Sequence, residues 1–419
     1  MILRSLASVA ALLLGSAFLL FAGGMHGLLL PIRGEIEGFT AASLGLLGTG
    51  WALGYVAGCV ATPRLVARVG HIRAFGAMCA LAAITVLVSL LLVSPWVWTP
   101  MRGLSGFCFA GAAMIVESWL SERADGRTAR GRIIFGIYTM VNLAATTAGQ
   151  FSLAFGDPSG FAFFVVAAIF YCLALLPTAV SATASPTALT SVSLDLPGLW
   201  RNSPIAVFSV LLMVGMSNGA FGALSAVYAA RLGLDLQQVA LFASVPLLAG
   251  AVAQVPVGEL SDPLRPPSGA DRRVALIGLG ADAVFITGAV SDPSTVLIVA
   301  AVFGAAVFSM YPTIVAHAND HAPEGSGLQV SGGLLFVFGI GSIIGPTAAG
   351  FAMTGIGPES LFWTTGAGHL ALILFAIVRL RARAGVARAD KTDFTPIPLP
   401  RSATPETSAL ARRGRRATA

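Results

Sequence analysis

Apolar segments of about 17–25 residues recur along the whole chain, and no other feature constrains its fold as strongly. They fall at roughly 6–30, 42–62, 74–94, 96–118, 133–155 and 160–180, and again at roughly 205–228, 237–258, 274–290, 295–316, 328–353 and 360–380. At a rise of about 1.5 Å per residue, each crosses a hydrocarbon core about 30 Å thick as one α-helix. Hydrocarbon offers the backbone no hydrogen-bonding partners, so a spanning segment must satisfy its own amides, as a helix does. Composition agrees, because 56% of the 419 residues are hydrophobic and 11% charged, whereas a water-facing surface calls for about 25% charged. The expectation is an all-α membrane protein of twelve transmembrane helices. The first segment exceeds the roughly 7–15 residues of a signal-peptide core and reads as an uncleaved first helix.

The charges then set orientation. With the N-terminus in the cytoplasm, 22 of the 25 basic residues fall in cytoplasmic loops and termini. Arg33 and Arg231 lie on the other side, and Arg102 lies inside a segment. This bias places both termini in the cytoplasm of a multi-pass protein of the inner or plasma membrane. It also explains the formal charge of +6 without a nucleic-acid partner. The single lysine, Lys391, follows Asp390, so no phosphate-binding loop exists and neither a nucleotide partner nor a primary pump is expected. Cys59, Cys79, Cys108 and Cys172 sit in apolar runs without metal-ligand spacing, so no metal or cofactor is expected. The Ser/Thr/Pro-rich stretch 181–203 reads as a cytoplasmic linker between bundles 1–180 and 204–380. The tail, 381–419, reads as disordered and cytoplasmic.

The halves repeat. A shift of 195 positions lays Gly24, Gly27 and Leu29 on Gly219, Gly222 and Leu224. It also lays Gly38-Phe39-Thr40 on Gly233-Leu234-Asp235, with Thr40 and Asp235 as N-caps of the second and eighth helices. A shift of 201 then matches Gly103, Gly131, Phe135 and Gly149 to Gly304, Gly332, Phe336 and Gly350. Two pseudo-symmetric six-helix bundles in parallel repeat form a transporter architecture.

At this point the chain resembles the major facilitator superfamily over nearly its whole length. The family's loop motif, Gly-x-x-x-Asp-Arg-x-Gly-Arg, survives as Arg68 and Gly70 in the first half, where Ala67 replaces the Asp. In the second half it survives as Gly258 and Asp262, ending at Asp271-Arg272-Arg273. Arg102-Gly103-Leu104-Ser105-Gly106 resembles the helix-four Arg motif. Glu117-Ser118-Trp119-Leu120 and Tyr311-Pro312…His317-Ala318-Asn319-Asp320 are most similar to the YcaD-like bacterial facilitators. The resemblance implies alternating access by two bundles, with Arg68, Asp262, Arg272 and Arg273 at an inner gate and Asp262 docking at the N-terminus of the fifth helix.

Within the spans, Arg102 reads either as a cavity-facing cation or as a side chain snorkelling towards an interface near Trp96 and Trp98. Glu117 lies 15 residues on, about 60° round the helix and about 22 Å along it. It reads as a proton acceptor or gate residue, or as an interfacial carboxylate. Asn142, Thr146 and Gln150 form an i, i+4, i+8 stripe that lines a wet pathway or glues two helices. Asn218 belongs to the same class, and Tyr311 either faces the cavity or marks a bend at Pro312. Asp282, His26 and His369 read mainly as structural, and Gly341–Gly350 as close packing around Pro346. The function implied is a secondary active transporter of a small organic solute across the lipid bilayer, coupled to protons or another ion. A membrane sensor on the same fold is the alternative; an enzyme would need a cluster of reactive groups, for which His317, Asp320 and His321 are the one candidate.

Overall fold

The computed structural model describes residues 10–123, 129–180, 194–261, 267–323, 326–380, 403, 404 and 407. The first half holds α1 (Ala10–Ile36), α2 (Ala41–Val69), α3 (His71–Leu91), α4 (Pro95–Arg123), α5 (Ala129–Phe151) and α6 (Ala162–Val180). A short α7 (Leu196–Asn202) follows, then α8 (Pro204–Arg231), α9 (Leu236–Ser261), α10 (Pro267–Ile286), α11 (Pro293–Asp320), α12 (Gly327–Gly355) and α13 (Ser360–Leu380). Among the described residues, twelve helices have at least 19 residues, and ten of those are long and apolar enough to span a membrane. The other two, α5 and α10, carry the polar stripe and the Asp271-Arg272-Arg273 run, which lower their hydropathy. The fold is thus an all-α membrane protein built as two six-helix halves.

The repeat appears in the chain's turns. Gly38 and Gly233 both adopt positive φ, at 76° and 80°, a conformation that suits glycine. After α1, the Phe39 N–H donates to the Gly34 carbonyl at 2.8 Å and Gly38 to Glu35 at 3.1 Å. After α8, Leu234 donates to Ala229 at 3.2 Å and Gly233 to Ala230 at 3.0 Å. These bonds correspond one to one at the 195-residue shift. The caps follow, with Thr40 Oγ1 accepting from the Ser43 N–H at 3.1 Å. Asp235 and Gln238 exchange a reciprocal pair at 2.8 and 3.1 Å, a capping box that fixes the start of α9.

Two helices run beyond their expected limits. α2 continues through Pro63 and Arg68 to Val69, so the first-half motif is helical and the chain breaks at Gly70, where φ is 82°. α4 begins at Pro95, which places Arg102 about 10 Å into the helix. Trp98, fully buried, closes the turn before it by donating its indole N–H to the Ser89 and Leu92 carbonyls at 2.8 and 3.0 Å. The end of the expected linker is the helix α7, capped by Asp195 on the Gly198 N–H at 2.9 Å.

The described residues fall in two compact units: one within Met1–Arg33, Gly50–Val192 and Ser402–Ala419, the other within Gly34–Thr49 and Ser193–Arg401. Small residues set the helix seams inside each. In the first, Gly50 of α2 sits against the Thr99 carbonyl of α4, where an added Cβ would lie 2.8 Å away. In the second, Gly215 of α8 meets Gly341 of α12, and Ser342 Oγ donates to the Gly215 carbonyl at 3.3 Å. The Gly341–Gly350 motif therefore serves close packing. Ser209–Met216 of α8, beside that seam, is wound as a π-helix, a form often found at functional positions.

Candidate transport site

In the first unit, α4 carries Glu117 into the interior, where it is fully buried. A carboxylate taken out of water costs several kcal/mol unless hydrogen-bonded, so its partners define the site. The Tyr138 hydroxyl of α5 donates to Glu117 Oε1 at 3.0 Å. Asn142, one turn further along α5, and Ser16 of α1 lie within hydrogen-bonding range of that hydroxyl. Two more donors come from the tail: the Thr407 hydroxyl reaches Oε1 at 2.7 Å and the Thr404 hydroxyl reaches Oε2. Tyr55 of α2 donates to the Ala403 carbonyl at 2.8 Å. Of the expected tail, Ala403, Thr404 and Thr407 are described and buried; its other residues lie outside the described ones.

Arg102 is buried on the same helix and lies within electrostatic range of His26 on α1 and Tyr171 on α6. This position favours the interior reading over snorkelling. His26 is 1% exposed, and among the described residues neither ring nitrogen has a hydrogen-bond partner. Buried polar atoms nearly always find partners, so an orphaned imidazole beside a guanidinium is an unusual feature of this interior. Gln150 is buried on α5, while Thr146 is half-buried with its carbonyl against Gly24 of α1. The stripe thus combines a polar face with a helix seam.

In the second unit, Asn218 of α8 is 3% exposed, and neither atom of its amide has a partner among the described residues. Tyr311 of α11 packs in an apolar cluster with Met310, Ile314 and Leu334, which favours a packing role. Of the expected inner-gate residues, Arg68 and Arg273 are exposed, whereas Asp262 and the Arg272 side chain lie outside what the structure describes. A polar group whose pairing the sequence did not reveal lies between α10 and α13. Asp282 Oδ2 pairs with His369 Nδ1 at 2.6 Å, and Oδ1 accepts from the Thr365 hydroxyl at 2.6 Å. All three residues are fully buried.

Sequence reasoning missed Tyr138, although it sits four positions before Asn142 and so extends the same stripe. It also missed Tyr55, Thr404 and Thr407, which carry no local spacing signal. Among the described residues, no His/Cys/Asp/Glu cluster is arranged to hold a metal ion.

Buried ionisable groups are rare on membrane helices, and similarity to known proteins bears on the setting in which these occur. The model of the Major Facilitator Superfamily matches the chain over residues 12–268 and again over 207–415. The chain belongs to the major facilitator superfamily. An uncharacterized MFS-type transporter of Yersinia pestis is 25% identical over 320 residues, covering 76% of this chain and 82% of the relative. The uncharacterized MFS-type transporter YcaD of Escherichia fergusonii is 24% identical over 357 residues, covering 84% and 91%. Among solved structures, the nucleoside transporter NupG superposes with a TM-score of 0.74 at 13% identity, over 90% of this chain and 100% of that one. A bacterial homolog of the human lysosomal transporter Spinster gives 0.66 at 15%, over 92% and 99%. At such identities the structural likeness speaks for the fold alone. The family match and the membrane-spanning helices make this superfamily member a multi-pass membrane transporter with a small-molecule substrate.

Proposed function

We propose that this facilitator is a proton-coupled secondary active transporter of a small organic solute, working by alternating access in the cytoplasmic membrane. The observation that carries this reading is Glu117, a fully buried carboxylate on a membrane-spanning helix, hydrogen-bonded by the Tyr138 hydroxyl. Intramembrane carboxylates are rare because charge is costly there, and they persist where they carry protons or bind solute. In its neutral form Glu117 gains a proton donor and loses its charge, so protonation switches both its hydrogen bonding and its cost of burial. Arg102, Asn142, Gln150 and Asn218 would supply further polar contacts along the pathway.

The test is uptake of a panel of radiolabelled metabolites by proteoliposomes, with a pH gradient imposed and then collapsed by a protonophore. At least one solute is expected to accumulate about tenfold or more and to re-equilibrate on collapse. Glu117→Gln is expected to keep exchange of that solute down its own gradient while losing accumulation, the signature of a lost coupling site. Accumulation in Glu117→Gln at the wild-type level would remove this residue from the coupling step. Accumulation that ignores the protonophore would remove the proton.

A further inference from the structure

We infer that the chain carries its own occupant for the Glu117 site: Ala403, Thr404 and Thr407 of the C-terminal tail seat on the first unit and block it. The inference rests on the reading of Glu117 as a pathway residue for its functional consequence, while the seat itself stands on geometry alone.

Polar tail residues normally remain in water, yet Ala403 is 2% exposed and Thr404 and Thr407 are 0% exposed. Their burial is compensated within the first unit. The Thr404 and Thr407 hydroxyls donate to the two oxygens of the Glu117 carboxylate, and Tyr55 donates to the Ala403 carbonyl at 2.8 Å. A small turn holds the two hydroxyls together: the Thr404 N–H donates to Thr407 Oγ1 at 2.7 Å, and the Thr407 N–H to the Thr404 carbonyl at 3.0 Å. The segment therefore presents two donors to one carboxylate, and hydrogen bonds to a charged acceptor are stronger than those between neutral groups.

Tethering makes a modest seat effective. The 22 residues 381–402 separate the segment from the end of α13 and allow a reach of up to about 70 Å when extended. Tethering on this scale gives an effective concentration on the order of 1 mM, so even a seat with an intrinsic Kd of about 100 µM is filled most of the time. A solute that uses the same carboxylate must first displace the tail, and a proton on Glu117 weakens the acceptor that holds it. The tail is in this way a tethered competitor of whatever binds Glu117.

Hydrogen exchange followed by mass spectrometry on the purified full-length protein tests the seat without requiring a known solute. The amides of 403–407 are expected to exchange at least tenfold more slowly than in a synthetic peptide of residues 400–410. Glu117→Gln leaves the Thr404–Thr407 turn intact but removes the charged acceptor, and should return exchange to within about threefold of the peptide. If that variant melts abnormally, Thr404→Val, which keeps the Thr404–Thr407 turn and removes one donor to the carboxylate, takes its place, with exchange expected to move towards the peptide rate. Wild-type exchange at the peptide rate would overturn the inference, as would protection that persists in a well-folded Glu117→Gln. Tail protection that depends on Glu117, in a protein that moves no solute, would sink the transport reading and leave the seat standing.

Discussion

At the scale of single residues, the Asp282–His369–Thr365 group has the clearest energetic consequence. The imidazole and carboxylate meet at 2.6 Å with both side chains fully buried. Rings close around them, with Phe285 stacked on Phe362 at 4.2 Å and Phe303 6.1 Å from His369. Gly278 and Gly366 let α10 and α13 approach, because an added Cβ would lie 3.2 Å from the His369 ring and 3.4 Å from Asp282. A pair buried so deeply among apolar groups is costly to break and of little net worth when intact. Removing one partner strands the other and typically costs about 3–5 kcal/mol, whereas replacing both with apolar residues is often neutral. His369→Leu is therefore expected to lower the thermal midpoint strongly, and Asp282→Leu/His369→Leu to recover most of the loss, read from melting curves in detergent. A silent His369→Leu would show that the pair does not hold α10 to α13. Sequence reading could not pair Asp282 with His369, because they lie 87 positions apart and no helical periodicity connects them. Glu117 was legible as an intramembrane charge, but its partners Thr404 and Thr407 were not, since a polar tail carries no sign of where it docks.

At the scale of elements, the sequence was most informative where one local rule dominates. The caps at Thr40 and Asp235, the glycine turns at Gly38 and Gly233 and the apolar spans all follow from backbone chemistry within a few residues. It was least informative where a helix outruns its apolar stretch: α2 carries Arg64 and Arg68 on its last turns, and only Gly70 ends it. Packing seams lie between these cases, because a glycine reveals a close approach but not the partner. The α8–α12 seam makes this testable. A Cβ at position 215 would lie 2.8 Å from both the Gly341 Cα and the Phe338 carbonyl oxygen, and neither atom can move without its helix. Gly215→Ala is expected to destabilise by about 1–3 kcal/mol, the range for overpacking a tight interior. Gly280→Ala on α10 is the control, since nothing lies within 4 Å of its added Cβ. It should be neutral, or stabilising by up to about 1 kcal/mol through helix propensity. Equal effects of the two substitutions on the thermal midpoint would mean that the seam does not set the approach of α8 to α12.

At the scale of the whole molecule, the remaining question is which side of the membrane each end occupies. The distribution of basic residues calls for cytoplasmic termini, with Arg33 and Arg231 as the exceptions on the far side. Within each unit, their contacts join turns that the count of crossings assigns to one side. In the first, Arg33 at the end of α1 acts electrostatically on Asp157, in the turn between α5 and α6. In the second, Arg231 at the end of α8 holds Glu35 at 2.8 and 3.1 Å. The ends of α1, α5 and α8 are all ends of odd-numbered crossings, so one face of the membrane should receive all three. Reporter fusions distinguish the alternatives directly. Fusions after Ser191 and after Ala419 are expected to be active only as cytoplasmic reporters, and a fusion after Gly160, in the turn that carries Asp157, only as a reporter of the opposite side. A far-side signal at Ser191 would break the six-plus-six count, because it requires an odd number of crossings before the linker. A far-side signal at Ala419 with Ser191 inside would place the error in the second half, where α10 carries the Asp271-Arg272-Arg273 run near its start.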